Sequence, residues 1–253
     1  MMQGAKFAAA AALGLAVAAF QATTARTAEI KVLSTTLMNS IIAAAGPAFE
    51  RTSGHKLSVT FDTTNILMGR INGGETADVV ILTTPAIEEL TKRGKVAGDS
   101  RVDVARSGVG IAALASAPKP DVSTVETFKK TLLAARSISY TSSGASGLYF
   151  QSLCERLGIA DAVKAKAKTR PGGAAAELVV TGEAEIAVQQ IGELLAVPGV
   201  QVQPLPVEIN NITPFAAGLF AGARDPAAAR AFLKFLTSPD AVSAIKAKGM
   251  EPG

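Results

Sequence analysis

From residue 29 onward the chain alternates short apolar runs with stretches of helical periodicity, and this alternation constrains the fold more than any other feature. Glu29–Ser34 (EIKVLS), Lys56–Phe61 (KLSVTF) and Asp78–Leu82 (DVVIL) read as strands. Between and after them, Leu37, Ile41, Ala45 and Phe49 share one helical face that ends near Gly54, Asn65–Ile71 reads as a short helix, and Ala86–Thr91 as another. Pro47 inside the first pattern is expected to kink it or open a new turn, because its ring removes a backbone donor. Thr84-Pro85 supplies an N-cap with proline at the first helical position. A βαβαβα rhythm needs crossover helices, which predicts a parallel sheet with helices on its faces.

A second unit follows the apolar stretch Arg106–Ala115. Ser123-Thr124-Val125-Glu126 reads as a capping box opening a helix to about Ala135, and Ser137–Tyr140 as a strand. Tyr149, Phe150, Leu153, Cys154 and Leu157 line the next helix, which stops before Gly158; Ala174–Val180 reads as a helix closing at Gly182. Glu185–Val188, Val200–Val202 and Ile212–Phe220 read as strands, and two helices opened by Asp225-Pro226 and Ser238-Pro239 complete the pattern. The fold class expected is α/β in two lobes, each a mostly parallel sheet flanked by helices, with the last two helices returning to the first lobe.

Composition excludes several functions. One Cys cannot make a disulfide within the chain, and one Cys with one His cannot build a four-ligand zinc site, so no metal and no cofactor are expected. No Trp, two Tyr and ten Phe leave little surface for stacking bases. The formal charge of +4 misleads, because Lys6 and Arg26 carry two of those charges in residues 1–28, which hold no acid. A nucleic-acid partner is therefore not expected. In that segment FAAAAALGLAVAAF runs from residue 7 to 20 behind Lys6 and is followed by small and polar residues, the order of a secretory signal peptide. The run is shorter than the roughly 20 apolar residues of a membrane span. Residues 1–28 are thus expected to be a signal peptide cleaved within 22–28, with the mature protein in the periplasm.

Catalytic motifs are sparse. Gly108–Ala113 matches G-x-G-x-x-A but lies in a strand-like run, His55 sits in a polar turn, and neither a Walker A lysine nor a G-x-S-x-G elbow is present. Asp62 and Asp78, at strand ends, read as caps. Four loops instead share one design, small hydroxyl or Gly residues where a strand gives way to a helix: Ser34-Thr35-Thr36, Thr63-Thr64-Asn65, Ser142–Gly147 and Pro171-Gly172-Gly173. Unpaired backbone donors and the helix dipole at such ends attract anions. Four of them together predict a binding crevice at strand C-termini, and Arg170 beside Gly172-Gly173 is a candidate cation for the same anion.

LSTTLMNS at 33–40, FDTTNILMGRINGGETADVVIL at 61–82, SGASGLYFQSLCERLGI at 143–159, GGAAAELVVTGEAEIAVQQ at 172–190 and FLTSPDAVSAIKAKG at 235–249 together give the chain its likeness to a known family. It resembles bacterial periplasmic solute-binding proteins of the molybdate-binding type, in the branch that also contains aconitate isomerase. The resemblance implies the type II periplasmic-binding fold, with lobe 1 at 29–107 and 214–253, lobe 2 at 108–213, and chain crossings near 106–115 and 206–214. It implies a small anionic ligand held between the lobes. By position its ligand residues fall at Thr36, Thr64, Ser146 and Gly172, while its tyrosine ligand falls at Gln190 and its serine run becomes Thr63-Thr64-Asn65. Gln and Asn each offer donor and acceptor, which suits a polycarboxylate better than a bare oxyanion; Arg170 or Arg70 would then pair with carboxylates. Two functions follow: a monomeric receptor that hands a molybdate-like oxyanion or tricarboxylate to an ABC-type membrane transporter, or an isomerase of the aconitate type using the same cleft. No general base for the second can be named from these residues.

Overall fold

The computed structural model describes residues 27–253, so the expected signal peptide lies almost wholly outside the described residues. No helix among them is long and apolar enough to cross a membrane.

The first three strands, β1 (Glu29–Thr35), β2 (Lys56–Asp62) and β3 (Val79–Thr83), pair in parallel around β1. They are connected by α1 (Asn39–Ser53) and α2 (Thr64–Asn72), and β3 leads into α3 (Thr84–Lys92). A 3-10 turn over Thr36–Met38 precedes α1, which runs as one continuous helix through Pro47 and ends at Gly54 with φ 74°. The proline therefore does not open a new turn; it leaves the Ala43 carbonyl without its usual donor inside a helix held by tertiary packing. Phe49 from the buried face of α1 meets Phe232 at 5.1 Å between ring centroids.

After β4 (Val102–Ser107) the chain passes through Gly108 into β5 (Val109–Leu114) and leaves the first sheet for the second. There follow α4 (Val125–Ala134), β6 (Ile138–Thr141), α5 (Ala145–Arg156), α6 (Ala160–Lys164), β7 (Ala167–Arg170), α7 (Glu177–Val180), β8 (Ile186–Gln190), α8 (Ile191–Leu194) and β9 (Val200–Pro204). A second crossing over residues 205–212 returns the chain to β10 (Thr213–Leu219), α9 (Pro226–Phe235), α10 (Pro239–Ala247) and β11 (Glu251–Pro252).

The six-stranded sheet has the order β11-β4-β10-β3-β1-β2 and the five-stranded sheet β7-β6-β8-β5-β9. Both are more mixed than the sequence suggests. β10 runs antiparallel to β3 and β4, and β5 antiparallel to β8 and β9, because each joins its sheet from the crossing side rather than through a βαβ unit. Each sheet is buried by its own helices, with Phe232, Phe49 and Ile41 in one core and Phe128, Phe150 and Leu153 in another. The N-terminal cap of α4 lies one residue later than its sequence reads. Thr124 accepts from Thr127 N and the Thr127 hydroxyl accepts from Thr124 N (both 3.1 Å), while Ser123 turns to Asp121. Cys154 is buried, and desolvation pushes its thiol up to about 12, so it packs as an apolar side chain.

Candidate ligand cleft between the two sheets

Strands β1, β2, β6 and β8 all end, at their C-termini, beside the gap between the sheets, and a cavity opens there. Thr35, Thr36, Leu37, Thr63, Thr64 and Phe215 line it from one side and Thr141, Gly144, Ala145, Ser146, Gln190 and Glu193 from the other. Counting the part open to solvent it holds about 330 Å³. Its freely occupiable space is only about 30 Å³, room for about two waters.

The local sequence explains the lining. Thr63 caps α2 by accepting from Ile66 N, so the α2 N-terminus faces the cavity beside Thr64. Thr64 Oγ1 accepts from Thr83 N (3.3 Å), which leaves its proton free to donate. α5 begins at Gly144 with no side-chain cap, so its first N–H groups remain available. The Thr35 hydroxyl is buried and has no hydrogen-bond partner among the described residues. A buried orphan donor costs roughly 1–3 kcal/mol, and a bound anion would supply its partner.

Thr36, Thr64, Ser146 and Gln190 are brought to one cavity, but three other candidates lie outside its lining. Asn65 is exposed and its amide donates to Ser143 O (3.0 Å), beside a Thr63–Ser143 hydroxyl contact of 2.9 Å; it ties the lobes together at the mouth. A Cβ on Gly172 would come within 2.8 Å of Asp62 Oδ1, which identifies it as a close-approach point between lobes. Arg170 donates to Ala174 O (3.1 Å) and to the Glu177 carboxylate (2.7 Å), so its charge is engaged on its own lobe. Arg70 is likewise held, by Glu75 at 2.6 Å, and Arg70 and Lys31 keep the Glu75 carboxyl below its ordinary range.

Gln190 does more than face the cavity. With its amide assigned so that both ends are satisfied, its nitrogen donates to Ser107 O (2.9 Å) and Gly108 O (3.2 Å) and its oxygen accepts from Thr213 Oγ1 (3.0 Å). It thereby grips both segments where the chain changes sheets. Val109 N, which donates to Asn210 Oδ1 (2.9 Å), joins the same two crossings. Asp78 is structural: its carboxylate accepts from Lys31 N (2.8 Å) and Arg224 N (2.6 Å). His55 accepts from Ala28 N (3.2 Å) far from the cleft.

Glu193 is the cleft residue the sequence reading does not single out. It lies in the first turn of α8, directly after β8, so it reaches the same end of the sheet as the four loops. Burial pushes its carboxyl up to about 8, against opposing hydrogen bonds from the Gln190 backbone and the Gln189 amide. The signal for it is the unbroken passage from a buried strand into a helical turn at QQIGE, which repeats the strand-to-helix design without any Gly or hydroxyl run.

Two sheets joined by two crossing segments, with helix N-termini and hydroxyls facing a common gap, define a two-lobed protein with a cleft between its sheets. The chain belongs to the bacterial extracellular solute-binding protein family, which it matches over residues 30–251. It is 36% identical over 230 residues to an aconitate isomerase from a Pseudomonas species, covering 88% of this chain and 87% of the relative. Among solved structures, the periplasmic molybdate-binding protein of Azotobacter vinelandii has a TM-score of 0.75 at 20% identity, covering 87% of this chain and 98% of that one. The sulfate-binding protein SubI of Mycobacterium tuberculosis has a TM-score of 0.73 at 20% identity, with 90% and 87% covered.

Proposed function

We propose that this protein holds a small polycarboxylate of the aconitate class between its lobes and interconverts the cis and trans isomers by moving one proton. The observation that carries this reading is the similarity, along nearly nine-tenths of the chain, to a protein named as an aconitate isomerase. The cleft chemistry supports it. The Thr35 orphan hydroxyl, Thr36, Thr64, Ser146 and the N-termini of α2 and α5 offer donors to several carboxylates from both lobes, with no metal required. Hydrogen bonds to charged groups contribute about 1.5–3 kcal/mol each, so a handful suffices for the roughly −8 kcal/mol of micromolar binding. Export through residues 1–28 would put the protein in the periplasm.

A thermal-shift series with cis- and trans-aconitate, citrate, molybdate, tungstate, sulfate and phosphate tests the reading. A ligand at 100 times its Kd stabilises by about 2.7 kcal/mol. Stabilisation by the aconitates, with conversion of one isomer to the other in the same samples, is the expected result; stabilisation by molybdate or tungstate alone would refute it. Thr36→Ala and Ser146→Ala should each weaken aconitate binding about tenfold or more, measured by titration calorimetry, and unchanged affinity in both would remove these residues from the site.

A second reading, a receptor that delivers the anion to a membrane transporter, is favoured by the paired crossings at Gly108 and residues 205–212, which suit a hinge. Tight binding with no isomer conversion would select it.

A further inference from the structure

We propose that Glu193 is the catalytic acid–base of the cleft, the one group that removes the proton from a bound aconitate and returns it; this rests on the isomerase reading above. Every other residue lining the cavity is a Thr, Ser, Gln, Gly, Ala, Leu or Phe, none of which titrates near neutral pH, so a proton shift within this cavity has one candidate carrier.

Its surroundings fit that work. The elements packed on α8 are β5, β8, β9 and the turn 36–38, none of which carries an ionisable side chain, and the segment at Gly249-Met250, which lies against Ile191 and Gly192 and is flanked by Lys248 and Glu251. Glu193 forms no ion pair among the described residues. Glu193 is half-buried at the cleft, where a structural carboxylate would be expected to have a charged partner, because a desolvated charge without one is costly. Desolvation instead raises its pKa to about 8, so near neutral pH it is mostly protonated and can donate to an entering carboxylate rather than repel it. The ionised fraction can act as base, and a group poised close to the working pH serves in both directions.

Aconitate has a methylene between one carboxylate and the carbon–carbon double bond. The Glu193 carboxylate takes a proton from that methylene, and the C–H electron pair becomes the new double bond. The old double-bond pair moves to its far carbon, which takes a proton back from the Glu193 carboxyl. One C–H bond breaks, one forms, the double bond moves over by one bond, and nothing is oxidised or reduced. The skeleton is unchanged, so the geometry in which the chain is held decides whether the product is cis or trans.

Glu193→Gln keeps the shape and hydrogen bonding but cannot take a proton. Conversion of trans- to cis-aconitate is followed by proton NMR for wild type and variant, with thermal shift by aconitate measured alongside. A fall in kcat of about 100-fold or more, with the thermal shift retained, is expected. If wild type turns over and Glu193→Gln stays within tenfold of it, the assignment of Glu193 is wrong while the isomerase reading stands. If wild type is stabilised by aconitate but never converts it, the isomerase reading fails and the assignment falls with it. Should the variant not fold, the wild-type pH profile decides. A kcat/KM that rises with pH through a single ionisation near 8 supports Glu193, and a flat profile between pH 6 and pH 9 overturns it.

Discussion

Gly147→Ala should lower the melting temperature by about 10 °C and abolish the thermal shift produced by aconitate. Gly147 sits in the first turn of α5, where a Cβ would overlap the carbonyl oxygen of Thr141 at the end of β6. That obstacle is backbone, so it cannot rotate away, and α5 must withdraw from the strand. Overpacking of this kind costs typically 1–3 kcal/mol and sometimes more. The functional loss should exceed the stability loss, because the same turn carries Gly144, Ala145 and Ser146 into the cleft. Gly69→Ala provides the control. Gly69 lies in α2, a Cβ there meets no atom within 4 Å, and the substitution should be neutral or stabilising by up to about 1 kcal/mol. Scanning fluorimetry of both variants with and without ligand checks the contrast, and similar behaviour of the two would show that the α5–β6 approach is not what shapes the cleft.

The two variants mark what the sequence can and cannot convey. Alternating strands and helices, the cap at Gly54 and the Asp225-Pro226 and Ser238-Pro239 helix starts are local signals, and the structure has all of them. Thr36, Thr64 and Ser146 reach one cavity because each follows a strand end, a placement that local periodicity specifies. Charge pairing is different. Arg170 and Arg70 are free cations on paper, yet Glu177 and Glu75, seven and five residues further along, already hold them. Asn65 stays outside the lining for a related reason: its partner, the Ser143 carbonyl, belongs to the other lobe, 78 residues away. Gln190 shares its amide with Ser107, Gly108 and Thr213, a consequence of where the chain changes sheets that spacing alone does not reveal. Glu193 is hidden in the opposite sense. An acid in the first turn of a short helix looks like an ordinary solvated cap, and only the packing of uncharged strands around α8 makes it unusual.

Glu193 should also leave a mark on stability that needs no ligand. Its carboxyl is raised to about 8 in the folded protein, whereas an exposed glutamate titrates near 4.3. The folded state thus holds this proton more tightly than the unfolded chain. Below the unfolded value both states are protonated and the stabilisation is fully present. Between about pH 4.3 and pH 8 the unfolded chain releases the proton while the folded protein keeps it, so stability falls as pH rises, and the loss is complete above the folded value. On the order of 5 kcal/mol separates the two limits. Glu50, Glu75 and Glu185 have the opposite shift, from backbone and side-chain donors, so their contributions are present above the unfolded range and are lost as pH falls through their lowered values. Their window lies on the acid side and does not overlap the upper part of the Glu193 window. Glu193→Gln cannot ionise, so urea denaturation at pH 5, 7 and 9 should show wild type losing stability relative to the variant across that range. The variant should be the more stable of the two at pH 9. Parallel curves at all three values would mean that Glu193 is solvated like any surface acid, and its place as the proton carrier would be lost.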